Sequence, residues 1–130
     1  MEKKGYVSLW IGNIKNEELL SNYVELVYTD DGDFLPSPFL TDFNIDIDDF
    51  DEDFLERVVH DRSYENVRDL IAGCSYDEVV IPRFEAMNIT GICKNTNSAI
   101  LLYNFKYNAR KKEVIKNGYE FRFVGSVSYI

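Results

Sequence analysis

The stretch YEFRFVGSVSY, residues 119–129, sets Tyr119, Phe121, Phe123, Val127 and Tyr129 against Glu120, Arg122, Ser126 and Ser128. Apolar and polar side chains that change places at every second residue fit a β-strand with one buried and one wet face. Lys116-Asn117-Gly118 just before it suits a hairpin turn, since Asn and Gly tolerate positive φ, and Glu113-Val114-Ile115 is a short strand leading into that turn. Further upstream, SAILLYNFKY (98–107) is apolar on both faces in its first half, as a central strand would be. At the other end of the chain YVSLWIG (6–12) alternates again and reads as a first strand closed by Gly12. The chain therefore begins with a strand, ends in an antiparallel meander, and holds its helices in between.

Those helices are read from spacing. Asn16 can cap a helix whose apolar residues Leu19, Leu20, Tyr23, Val24 and Val27 recur on one face, with Glu17 and Glu18 at the positive end of its dipole. Gly32 permits a turn in DDGDF, and the two prolines of LPSPF (35–39) argue against regular structure there. Phe54, Leu55, Val58 and Val59 fall at helical spacing. A further amphipathic run puts Val67, Leu70, Ile71 and Cys74 on one side, between a cap at Ser63 and a stop at Gly73. SYDE (75–78) offers a capping box, and although Pro82 removes a helical hydrogen bond, one kinked helix over 76–88 is the reading. The result is a single α+β domain, 1–130, with an antiparallel sheet of about three to five strands packed with about three or four helices.

Composition agrees with one globular core: 45% of the 130 residues are hydrophobic, 15% aromatic and only three are proline, despite a formal net charge of −9. The N-terminal MEKKGYVSLWIG lacks an apolar run of signal-peptide length, and no window nears the roughly 18 apolar residues of a membrane span. A cytoplasmic location without a membrane partner is expected. Cys74 and Cys93 are the only cysteines and read as reduced and buried.

Charge is unevenly placed, and its position says more than its total. Residues 30–56 carry eleven acids and no base, which accounts for essentially all of the net charge. The densest part is DFNIDIDDFDEDF (42–54). A calcium loop of the EF-hand type needs a Gly at its sixth position and a Glu at its twelfth. Starting from Asp46 those positions hold Asp51 and Arg57, and starting from Asn44 they hold Asp49 and Leu55.

An acid/base carboxylate pair means little without a nucleophile or an orienting Arg beside it. His60 beside Asp61 is better read as a helix-end or solvent-facing residue than as a base. His60, Cys74 and Cys93 lack zinc-ligand spacing, and no phosphate-binding glycine loop, Gly-x-Ser-x-Gly elbow or basic aromatic surface for nucleic acid is present. The residues give no support for an enzyme, and neither a metal nor a cofactor is expected.

Helix capping explains part of the run, because Asp51, Glu52 and Asp53 precede the helix read from Phe54 onward. Phe43, Ile45, Ile47 and Phe50 read as core anchors. Asp46, Asp48 and Asp49, with Asp30, Asp31 and Asp33, have no fold-based reason. Exposed carboxylates about 6 Å apart repel by roughly 0.7 kcal/mol in water. A cationic protein partner would relieve that repulsion and be steered to the segment. The candidate partner-binding residues are Asp30, Asp31, Asp46, Asp48, Asp49, Glu52 and, as an aromatic anchor, Phe50. A merely solvated face remains the alternative.

The order and spacing of VSLWIG (7–12), DGDFLPSPF (31–39), DEDFLE (51–56) and ILLYNFKY (100–107) resemble the immunity protein 22 family of bacterial polymorphic toxin systems. The similarity runs from about Tyr6 to the closing FVGSVSY, and VVIPRF with Pro82 departs from a smooth family helix. The resemblance implies a non-catalytic, cytoplasmic α+β antidote that binds a cognate toxin domain. It supplies no catalytic residues. Trp10, Gly32, Asp33 and Phe34 match the family pattern and read as fold-keeping: Trp10 in the core, Gly32 in a turn, Asp33 as a cap. If the toxin is a nuclease, its phosphate-binding cleft would be basic and the acidic run would compete with nucleic acid there. The second reading is an acidic regulator, or nucleic-acid mimic, that binds a host nucleic-acid-binding protein. A metal-dependent enzyme comes third.

Overall fold

The computed structural model describes residues 2–87 and 95–130. Along the chain these form β1 (Glu2–Ile14), α1 (Glu17–Val24), β2 (Val27–Tyr28), β3 (Phe34–Leu35), α2 (Pro38–Asp42), β4 (Leu55–Tyr64), α3 (Val67–Ile71), α4 (Asp77–Glu85), β5 (Thr96–Phe105), β6 (Glu113–Lys116) and β7 (Tyr119–Ser128). Two turns of 3-10 helix, Ile47–Asp49 and Glu52–Phe54, lie in the acidic segment.

Five strands make one antiparallel sheet in the order β4-β5-β1-β7-β6, and β2 and β3 pair as a separate small hairpin. The α+β class and the antiparallel sheet are as read from the sequence. The strand order, however, is not a plain meander: β1 is inserted between β5 and β7, while β4 with β5 and β6 with β7 pair as consecutive strands.

Both faces of the sheet are covered. Even-numbered Trp10 and Ile14 of β1, with Ile100 and Leu102 of β5, join Leu20, Tyr23 and Val24 of α1 and Phe39 and Leu40 of α2. The odd-numbered Val7, Leu9 and Ile11, with Leu101 and Tyr103, join α3 and α4 through Leu70, Ile71, Val80 and Phe84. Trp10 is fully buried, packing edge-on against Phe39 at 4.9 Å between ring centroids and tilted against Phe123 at 5.3 Å. Gly12 does not end β1. It lies where an added Cβ would sit 1.9 Å from the Glu120 carbonyl oxygen, so β1 and β7 come this close only because the residue has no side chain.

Several local expectations are corrected. Phe54, Leu55, Val58 and Val59 belong not to a helix but to the edge strand β4 and the 3-10 turn before it. Leu55 and Val59 pack on the α1/α2 side and Val58 on the α3/α4 side, so a strand covered on both faces imitates helical spacing. His60 accordingly lies on a strand, with its Nε2 2.8 Å from the Leu70 carbonyl. α2 forms inside the proline-rich stretch. Pro38 occupies its first turn, where no N–H is needed, and Ser37 Oγ accepts from Leu40 N–H.

Asn66, not Ser63, caps α3. Ser75 is not a cap either, because its hydroxyl and N–H both donate to Glu56, and Tyr76 heads α4 without any side-chain cap bond. Pro82 sits within α4 as expected, but the helix closes at Glu85 with Ala86 as its C-cap, short of the anticipated end near Asn88, which itself lies outside the described residues. In β7 the register slips by one residue between Leu9↔Gly125 and Trp10↔Phe123. Phe121 and Phe123 therefore face α1 and α2 whereas Val124, Val127 and Tyr129 face α3 and α4, in place of one buried and one wet face. The Cys74 thiol is free and half-buried, with burial pushing its pKa up to about 11; Cys93 lies outside the described residues.

Candidate functional site

The eleven acids of residues 30–56 separate by what their carboxylates touch. Asp42, at the end of α2, is a structural group: Tyr23 and Tyr119 each donate a hydroxyl to its Oδ2 at 3.0 Å, and Lys116 lies 3.7 Å from Oδ1. Burial, reinforced by this carboxylate, holds the Tyr23 phenol far above its ordinary range and pushes Tyr119 up to about 12. Glu56 is tied to Ser75, with both contacts at 2.9 Å. Asp46 and Asp51 accept the N–H groups of Asp48 and Asp53 at 2.9 and 3.0 Å, so each caps a 3-10 turn. Capping gives Asp46 a role in the fold that the sequence did not suggest.

Asp30, Asp31, Asp33, Asp48, Asp49 and Asp53 are exposed. Among the described residues neither these six nor Asp46, Asp51 and Glu52 form an ion pair, and no three His, Cys, Asp or Glu side chains are grouped to hold a metal ion. The basic turn 110–112 borders the start of the segment without pairing with it. Its Lys111 N–H donates to Tyr107 Oη, which in turn donates to the Phe43 carbonyl.

The β2–β3 hairpin brings a second set of acids to the same face. Asp30 and Asp31 lie in its tip, where Gly32 adopts φ +85° and the Asp33 carbonyl, rather than its carboxylate, accepts from Thr29. From the hairpin stem Tyr28 Oη donates to Glu52 Oε1 at 2.9 Å, fastening the hairpin to the acidic segment. That hydrogen bond raises the Tyr28 phenol above its ordinary value.

The stem pairs Val27 with Leu35 and Tyr28 with Phe34, and all four side chains are at least half exposed. Two-residue strands cannot bury either of their faces unaided. Phe34 is thus not fold-keeping core; with Tyr28 packed edge-on against it at 6.2 Å, it is an exposed aromatic. Phe50, expected as the anchor, packs half-buried against the α1/α2 core. The exposed apolar positions of the hairpin are Val27, Tyr28, Phe34 and Leu35. The signal for them in the sequence was two apolar pairs, VY and FL, flanking the turn TDDGD.

An apolar cluster bordered by uncompensated carboxylates has the composition of a protein-docking surface, with hydrophobic contacts at the centre and polar groups at the rim. No helix among the described residues is long and apolar enough to cross a membrane. No curated protein and no solved structure shows significant similarity to the chain. A family model described as Immunity protein 22 matches residues 7–129, nearly the full length, and the chain belongs to that family.

Proposed function

We propose that the protein acts in the cytoplasm as a non-catalytic antidote, binding a cognate toxin domain and blocking its activity. The docking face in this reading is the acidic segment 46–53 together with the β2–β3 hairpin. Asp30, Asp31, Asp46, Asp48, Asp49 and Glu52 supply charge, and Tyr28, Phe34 and Phe54 supply apolar contact. The observation that carries it is that, among the described residues, these carboxylates form no ion pair, and that Glu52 meets the exposed Tyr28 of the hairpin. A folded domain tolerates the mutual repulsion only as a cost of order a few kcal/mol, and a basic toxin surface would remove it.

The test is co-expression with the product of the neighbouring gene. Replacing Asp46, Asp48 and Asp49 together by Asn keeps the fold, since Asn caps as well as Asp. It is expected to slow association by about 10-fold or more and to lower protection of the cell. Unchanged association and unchanged survival would rule out this face.

A further inference from the structure

Where the acidic segment leaves the α1/α2 layer and enters β4, it borders a recess of about 230 Å³ lined by Phe54, Tyr76, Tyr103 and Tyr129 together with the polar Asp53, Glu56 and Ser75. The three tyrosine rings form one cluster. Tyr76 and Tyr129 lie 4.7 Å apart between centroids, Tyr103 and Tyr129 5.4 Å, and Tyr76 and Tyr103 6.2 Å. Two of their hydroxyls are engaged elsewhere, Tyr103 donating to the Ser75 carbonyl and Tyr129 to Asn104 Oδ1, each at 2.6 Å. From these two residues, ring surface rather than a hydroxyl is left to meet a visitor.

Tyr76 holds its place at a cost. It heads α4 in the left-handed region (φ 61°, ψ 28°), which disfavours a side chain with Cβ, and it makes no cap bond, yet the residue is 54% exposed. Glu56 is half-buried, and among the described residues no Lys, Arg or His pairs with it. Nearby cations are occupied: Arg57, its neighbour on β4, contacts Glu17, Glu25 and Ser21 beside α1, and Arg83 donates to main-chain oxygens of Ser128 and Ile130.

An exposed tyrosine on a strained backbone, a wall of aromatic faces and a half-buried carboxylate that Ser75 orients but no described cation neutralises together make a receptor for one flat cation. From this we infer that the recess takes an arginine side chain of the protein partner, stacked on Tyr76 and Tyr129 with its guanidinium toward Glu56. Arginine suits it better than lysine, because the planar guanidinium both stacks on rings and forks onto a carboxylate. The volume is below the roughly 300–1,000 Å³ of small-molecule pockets, which favours a single side chain over a free ligand. The inference rests on the toxin-binding reading for its partner, but it can be tested without one.

The probe is Nα-acetyl-arginine amide, with the neutral isostere Nα-acetyl-citrulline amide as control, titrated into the isolated protein and followed by NMR of the tyrosine ring protons. Saturable shifts at Tyr76, Tyr103 and Tyr129 with the arginine compound alone are expected. Glu56→Gln and Tyr76→Gly should each weaken binding by about 10-fold. Gly at position 76 accepts the left-handed backbone, so an unchanged melting curve would show that only the ring is missing. Equal shifts from arginine and citrulline, or none from arginine, would overturn the inference and leave the acidic docking face to be judged by its own co-expression test.

Discussion

At Asp42 a carboxylate is part of the fold, whereas at Asp48, six residues on, the same side chain is exposed and forms no ion pair among the described residues. Asp42→Ala would strip two part-buried phenols of their acceptor and leave Lys116 unpaired. An orphaned polar group costs about 1–3 kcal/mol, so this variant is expected to lose about 2–4 kcal/mol by urea denaturation. Asp48→Asn and Asp49→Asn should change stability by no more than about 0.5 kcal/mol, with relief of repulsion favouring a gain. Comparable losses in all three would mean that the exposed carboxylates are structural after all. This division was not legible in the sequence, because the partners that make Asp42 structural, Tyr23 and Tyr119, lie 19 and 77 residues away along the chain. What was legible is the concentration of acid itself, with no base from residue 30 to residue 56.

At the scale of elements, α1 and the terminal strands are legible because each shows a dominant period or a clear cap, as with Asn16 accepting from Leu19 N–H, but α1 stops at Val24, so the expected Val27 belongs to β2, and Leu19 is exposed. β4 was misread because its faces serve two cores, and burial on both sides erases the period of two. In β7 the alternation was real but not continuous: one extra residue at Val124 moves every later side chain to the other face of the sheet. Gly12 carries a related constraint. It was read as a strand end, but β1 runs on to Ile14 and the glycine marks a close approach of two backbones. Gly12→Ala sets a methyl group against the Glu120 carbonyl and the Phe121 Cα, atoms that cannot swing aside as a side-chain tip can. A loss of at least about 2–3 kcal/mol is expected, with amide exchange accelerated along β1 and β7. A variant that melts like the parent would show that the two central strands can separate locally at little cost.

For the molecule as a whole, α1, α2, α3 and α4 cover the two faces of the sheet, and the acidic segment and the β2–β3 hairpin border one of the covered faces. The fold places there the one long run of acids that no base interrupts, residues 30–56, so long-range attraction and short-range contact should separate in kinetics. The exposed carboxylates act at a distance, over a Debye length of about 10 Å at 0.1 M salt and about 3 Å at 1 M. Raising salt across that range is expected to slow association with the toxin domain by about 10-fold or more, while dissociation changes less. A shielded contact in the tyrosine recess should respond the other way: Tyr76→Gly ought to speed dissociation and leave the salt dependence of association intact, because rings add no charge to the approach. In the triple Asn variant at positions 46, 48 and 49, by contrast, the salt slope itself should flatten. If salt acted equally on both rates, or if the Asn variant kept the parent slope, the acidic segment would not be guiding the encounter, and binding would have to be sought on the apolar hairpin alone.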